Sequence, residues 1–297
     1  MSWRGFLLNA SVLVFTVASY GQANILNANS PEEIGKKTEA QIQSDINDKP
    51  LEYGYIEDRD VLWSKNVWEK IDLDERVNFP LYYPIDTNNI GNNRRALYDV
   101  LVSAIKSGKI KNIYADSYFT EKRTLKDIQA TISKVDTTDL GIEQYNAGEE
   151  VDAQFIDRRD LGAADIAEYH IRGMWYFDKR QAEMKYRLLG IAPVAPDVNF
   201  IDSGQTDLVE LFWIWFPDAR EVLHENKAFT GSSSAQTVTF DHLLNSRRFD
   251  AMIYKEDNVY GDREVDEYIV DNAFMELLEA QRIKEQIRNF ELDMWNY

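Results

Sequence analysis

Three neighbouring segments, HIRGMWYFD (170–178), KYRLLGIAP (185–193) and LVELFWIWF (208–216), decide the fold class. Each is dense in aromatic and branched residues, and turn-capable stretches separate them, a pattern that predicts an antiparallel meander. Helical patterns surround it. Upstream, RRALYDVLVSAIKSG (94–108) predicts a helix closed by Gly108, KNIYADS (111–117) a strand, and TEKRTLKDIQATIS (120–133) a helix starting at Thr120. Downstream, Pro217–Asp218 opens a short helix, TFDHLLNS (239–246) predicts another, and FDAMIYKE (249–256) a strand. A long helix follows from about Asp262 to Trp295. In DVLWSKNVWEKIDLDE (60–75), residues Val61, Trp63, Val67, Trp68 and Ile71 recur near helical spacing and predict a helix starting at Asp60. The next segment, RVNFPLYYPID (76–86), reads as an aromatic strand ended by Pro84. The class is α+β.

An internal echo links the two halves. FPLYYPID answers FWIWFPDA, Tyr98-Asp99-Val100-Leu101 answers Phe240-Asp241-His242-Leu243, and Ile113-Tyr114 answers Ile253-Tyr254. Arg123 and Arg263 then precede acidic helical stretches containing Asp127-Ile128 and Glu267-Tyr268-Ile269. The echo predicts two related lobes, 51–150 and 151–297, each with antiparallel strands and packed helices, the second carrying the long C-terminal helix.

The N-terminus carries a different message. Residues 1–21, MSWRGFLLNASVLVFTVASYG, place Arg4 before an apolar stretch and small residues at Ser19 and Gly21, the plan of a secretory signal peptide cleaved before Gln22. Residues 22–50 are rich in Asn, Gln, Ser, Glu and Lys, too poor in apolar groups to offset their ordering entropy, and predict a flexible arm. Export to the periplasm is the expected destination. The 297 residues contain no cysteine, so a lipid-acceptor Cys, disulfides, thiol nucleophiles and Cys-ligated metals are excluded. Any hold on a membrane must come through a partner. With 33 Lys+Arg against 51 Asp+Glu, the net charge of −18 argues against binding nucleic acid through its phosphates.

Chemistry has few places to reside. His170, His224 and His242 are far apart and match no metal or triad spacing. Ser232, Ser233 and Ser234 lack a strand–turn–helix setting. Acid pairs such as Glu57/Asp58/Asp60, Asp72/Asp74/Glu75, Glu149/Glu150 and Asp157/Asp160 are what 51 acids produce by proximity, and leave an exported two-carboxylate carbohydrate hydrolase as the enzyme alternative. Asp86-Thr87-Asn88-Asn89-Ile90-Gly91 and Glu256-Asp257-Asn258-Val259-Tyr260-Gly261 approach a calcium-loop pattern, but Ile90 and Tyr260 break the ligand series. A calcium-stabilised binding module is the second alternative. No catalytic residue, metal ligand or cofactor is assigned.

Interaction is better supported. Leu211 to Phe216 is apolar on both strand faces, so Trp213 and Trp215 are candidate partner anchors alongside a central-strand reading. In the C-terminal helix, Val265, Ile269, Phe274, Leu277, Leu278, Ile283, Ile287 and Phe290 recur near helical spacing. The expectation is that its first half packs on the second lobe. The last turns, IRNFELDMWNY, then project, making Ile283, Ile287, Phe290 and Trp295 candidate partner contacts.

The segments YIEDRDVLWSKNVWEKIDLDERVNFPLYYP, EYHIRGMWYFDKRQAEMKYRLLGIAP and LFWIWFPDAR, with an export signal lacking a lipid-acceptor Cys, resemble the GldN/PorN gliding-motility family over essentially the whole chain after the signal. The resemblance implies a non-enzymatic periplasmic component of the type IX secretion system. It implies a ring complex with an outer-membrane lipoprotein of the GldK/PorK kind. It also implies self-association within that ring and contact with the periplasmic domain of a GldM/PorM-like inner-membrane motor. It carries no catalytic residue.

Overall fold

The computed structural model describes residues 48–86, 94–148, 152–199, 207–229, 238–270 and 272–295, together with Glu39 and Gln43. The expected signal 1–21, most of the arm 22–50, the TNNIGNN turn and the GSSSAQ loop lie outside the described residues. Glu52–Tyr297 form one compact unit.

The core of that unit is an antiparallel sheet. Its central hairpin joins β5 (Glu168–Asp178) to β6 (Glu183–Pro196), as the meander predicts. β1 (Val61–Asp72) flanks β5, and β8 (Trp213–Trp215) flanks β6. The edges are β11 (Met252–Glu256), against β1, and β2 (Ile113–Tyr114), against β8. The order is β11-β1-β5-β6-β8-β2, and β7 (Leu208–Glu210) also pairs with β6. The LVELFWIWF segment is thus two short strands interrupted at Leu211-Phe212, where both side chains are buried.

The helices explain the echo. β1 leads to α1 (Phe79–Tyr82), α2 (Leu97–Lys106), β2 and α3 (Leu125–Ile132). β8 leads to α5 (Phe216–Glu225), α6 (Phe240–Asn245), β11 and α7 (Val265–Tyr268). α1 and α5 each carry proline in the first turn, where the missing N–H costs nothing. The strand order reads the same from both edges: the first half's edge strand β2 pairs with the second half's β8, and the second half's β11 pairs with β1. The expected division into lobes 51–150 and 151–297 is corrected accordingly. The related halves exchange edge strands and share one sheet, because each short edge strand finds its ladder partner in the other half.

Two local expectations are reversed. Residues 60–75 form β1 rather than a helix. Their aromatic and branched residues suit either period, and eleven ladder positions against β5 settle the competition. Residues 76–86 form a 3-10 turn and α1 rather than a strand. Asn78, fully buried, holds that turn: its side-chain amide donates to the Asp72 and Asp250 carbonyls at 2.7 and 3.1 Å and accepts from the Asp250 N–H at 2.9 Å. The helix expected from Thr120 begins at Leu125, capped by Thr124 and Asp127 in a reciprocal box. A ribbon of β3 (Ser133–Thr137) and β4 (Ile156–Asp160), joined through α4 (Asp139–Asn146), leaves the core.

One face of the sheet, with Ile71, Tyr169, Ile171, Ile191 and Ile214, packs in a single cluster with residues of α2, α5 and α6. The expected long helix is divided into α7 and α8 (Ala273–Trp295), and α8 extends only about 34 Å. Ala280, Ile283 and Ile287 of α8 pack with Val67 of β1, Ile253 of β11 and Val265 of α7.

Candidate interaction surfaces

The second sheet face is closed by the molecule itself. Trp68, Ala192 and Trp213 are buried there, and the loops following β2 and β11 meet above them. Arg172 from β5 stands over the rings of Trp68 (4.9 Å), Tyr118 (5.1 Å) and Phe119 (5.7 Å), and donates to the Ser117 carbonyl at 2.7 Å. Lys255 from β11 lies 5.3 Å over Trp68. The Tyr118 hydroxyl donates to Asp262 at 3.0 Å, tying one loop to the other, and burial together with that bond pushes its pKa up to about 12. Phe119 adopts a left-handed φ of +61° and wedges its ring edge-on to Trp215 at 4.9 Å. Gly190 makes room for it: a Cβ there would sit 2.5 Å from the Phe119 ring. Such a backbone conformation is costly for phenylalanine and persists because the surroundings over-determine it.

Trp213 is fixed further by charge. Its indole N–H donates to Glu210 at 2.7 Å, and the other Glu210 oxygen meets His170 Nδ1 at 2.7 Å. His170 Nε2 lies 3.4 Å from Glu168, and its ring packs on Tyr254 at 4.8 Å. Burial would lower the His170 pKa, but the bonds and charges of Glu168 and Glu210 outweigh it and raise the value above normal. Both glutamates are held below the usual range: Glu168 chiefly by the His170 bond, Glu210 by His170 and Trp213 against its own desolvation. In a second ion pair, Nη2 of Arg247 donates to both oxygens of the buried Glu69 carboxylate, at 2.8 and 3.0 Å. At the start of the compact unit, Tyr53 lies between Arg220 (4.1 Å) and Arg187 (4.6 Å), while Arg220 pairs with Asp241 at 2.8 Å.

These arrangements relocate the sequence candidates. Trp213 is completely buried and Trp215 half-buried under Phe119. Ile283 and Ile287 are 0% and 5% exposed, inside the core beneath α8. Phe290 stacks on Trp63 at 4.8 Å and meets Phe177 edge-on at 6.0 Å. Of the six, Trp295 alone is exposed, at 68%. The expected geometry of the helix is modified: Phe290 anchors its later turns to β1 and β5, while apolar residues are displayed at both ends, Phe274 and Leu277 early and Leu292 and Trp295 late.

That display is the surface the sequence reading missed. On the outward side of α8, Phe274 is 67% exposed, Leu277 54%, Leu278 46% and Leu292 54%. The signal was present, because α8 carries two apolar stripes, and only the one through Ala280, Ile283 and Ile287 enters the core. A second apolar surface lies on the excursion, where Val135, Leu140, Ile142, Tyr145 and Ile156 are all exposed. Nothing in its sequence distinguished it from an ordinary amphipathic segment.

The alternatives fare differently. Trp63 and Phe290 line a surface pocket that also contains Glu285 and Asp293. These carboxylates are eight residues apart on α8, about 12 Å of helical rise, beyond the separation of roughly 5–10 Å that a glycosidase pair uses. In the loop after β11, the Asn258 side-chain carbonyl accepts from the Tyr260 and Asp262 N–H groups at 3.0 and 3.1 Å, so internal bonds engage the oxygen that the third ligand position of a calcium loop would use. Among the described residues, no group of three or more His, Cys, Asp or Glu is placed to hold a metal ion. Among the same residues, no helix is long and apolar enough to cross a membrane.

A comparison with curated protein sequences gives no significant match. The family described as "Gliding motility associated protein GldN" matches residues 56–296, from just before β1 to the end of α8, and the chain belongs to that family.

Proposed function

We propose that this protein is a non-enzymatic, periplasmic structural component of the type IX secretion and gliding machinery, and that it works through interfaces rather than turnover. Membership in a gliding-motility family supports the setting. The observation that carries the interface reading is α8, whose inner face is locked into the sheet while its outer face leaves Phe274, Leu277, Leu278, Leu292 and Trp295 in solvent. Apolar residues grouped in this way on a well-anchored element are characteristic of docking surfaces.

In this reading the protein joins a ring with an outer-membrane lipoprotein of the GldK/PorK kind, associates with its own copies, and contacts the periplasmic domain of a GldM/PorM-like motor. The lipoprotein supplies the membrane attachment, since this sequence holds no cysteine to carry an acyl anchor. The interlocked sheet gives a body suited to transmitting load, since pulling the halves apart would break ladders at both sheet edges. The acidic surface steers the chain toward basic partner faces and weakens that steering as salt rises. The test is co-purification with the ring lipoprotein from detergent-solubilised envelope, alongside secretion and gliding assays in a deletion strain. Recovery of the protein alone, with secretion and gliding intact in the deletion, would sink the proposal.

A further inference from the structure

β1 is paired unequally on its two sides. β5 accompanies it from Val61 to Asp72, whereas β11 pairs only from Val67 to Lys70. Where β11 departs, Asp257 closes the ladder. Its N–H donates to the Asn66 carbonyl at 3.2 Å, and its carboxylate accepts from the Asn66 N–H at 3.2 Å and side-chain amide at 3.1 Å. Asn66 therefore directs its backbone groups away from β5. Along a strand these groups alternate sides, so those of Ser64 point the same way, and among the described residues nothing pairs with them there. The β5 ladder slips between Val61 and Trp63, so the open stretch is short and centres on Ser64. Ser64 is exposed, and Leu62 beside it is 51% exposed.

A groove of about 380 Å³ lies at this end of β1, between Trp63 and the flank of α8 that carries Gln286, Asn289 and Asp293. Trp63 and Phe290, stacked at 4.8 Å, give it an aromatic wall. A free sheet edge with a side-chain pocket beside it is what extended peptides use to add a strand: main-chain bonds give affinity, and pockets for alternate side chains give specificity. Charge in the groove selects the peptide. Arg282 is already engaged, bonded to Glu279 at 2.7 and 2.8 Å and lying 3.7 Å from Glu256. Glu285 accepts from the Gln281 amide at 3.1 Å but meets no cation, and Asp293 has no partner among the described residues. Two uncompensated carboxylates next to an aromatic pair attract a Lys or Arg side chain.

We infer that the open edge of β1 takes up an extended basic segment of a partner protein as an added strand at Ser64, with a Lys or Arg side chain entering the groove beside Asp293. The chain itself is acidic, with 33 Lys+Arg against 51 Asp+Glu, which favours another protein over a second copy or its own residues 22–47 as the source. This contact is separate from the outward stripe of α8. It rests on the reading of the chain as an assembling component and adds the chemistry of one partner.

The probe is a short fluorescent peptide alternating Lys with Val, titrated by anisotropy into the protein lacking the expected signal 1–21. Methylating alternate peptide amides keeps the charge and removes the strand bonds, and should weaken binding at least about tenfold. Ser64→Pro should weaken it as much with the melting temperature unchanged, because proline on an open edge breaks no ladder bond. Asp293→Lys, at an exposed position, should weaken it through charge alone, and a peptide alternating Glu with Val should not bind. Equal binding of the methylated peptide would rule out strand addition, and equal binding by Asp293→Lys or of the acidic peptide would rule out a basic partner. Binding seen only after removal of residues 22–47 would assign the edge to the chain's own arm, and dimers lost in Ser64→Pro would assign it to a second copy; either overturns the inference. No peptide binding by a protein that still co-purifies with the ring lipoprotein would overturn the added strand and leave the proposed function standing.

Discussion

At the scale of single residues, the most informative position is His170. Its folded pKa is raised, so its contribution to stability is complete below the unfolded value of about 6.5 and is lost as pH rises through the folded value. Glu168 and Glu210 have depressed values, so theirs is complete above an unfolded value of about 4.3 and is lost as pH falls through the folded ones. The trio therefore stabilises most between those two limits. Melting temperature should fall as pH rises above about 6.5, and His170→Gln should flatten that limb. An unchanged alkaline limb in the variant would contradict the assignment. None of this was legible in the sequence, where His170 is one histidine in an alternating strand and its partner Glu210 lies forty residues away. The absence of a metal or triad spacing was legible; the buried ion network was not.

At the scale of elements, the hairpin β5–β6, helices α2, α5 and α6, and the short edge strands were all readable from periodicity and punctuation. β1 was misread because a strand used on both faces scatters its apolar residues in a way that imitates a helix, and only its ladders with β5 and β11 resolve the ambiguity. α8 was recognised as a helix, but its two apolar stripes merged into one. Their separation predicts opposite responses to substitution. Ile283→Ala, inside the core, should cost about 2–5 kcal/mol, whereas Leu278→Arg, on the exposed stripe, should stay within about ±0.5 kcal/mol. Denaturant titration of both variants checks the contrast, and a large loss for Leu278→Arg would mean that the stripe is part of the fold.

At the scale of the whole molecule, the internal echo was legible as similarity and illegible as connectivity. Strings such as Ile113-Tyr114 and Ile253-Tyr254 announce related edge strands, yet nothing local says that each pairs with the opposite half. The exchange makes Glu52–Tyr297 one compact unit, which should unfold cooperatively as a whole. Fragments 51–150 and 151–297 expressed separately should lack cooperative unfolding, and mixing them should restore it; independent cooperative melting of either fragment would contradict the interlocked sheet.

The central claim is that the exposed stripe of α8 serves assembly and not folding, and the most direct measurement is made in the cell. A deletion strain carrying Leu278→Arg should accumulate the protein at normal levels yet lose type IX secretion and gliding. Normal secretion and gliding with the variant present at wild-type abundance would contradict the account.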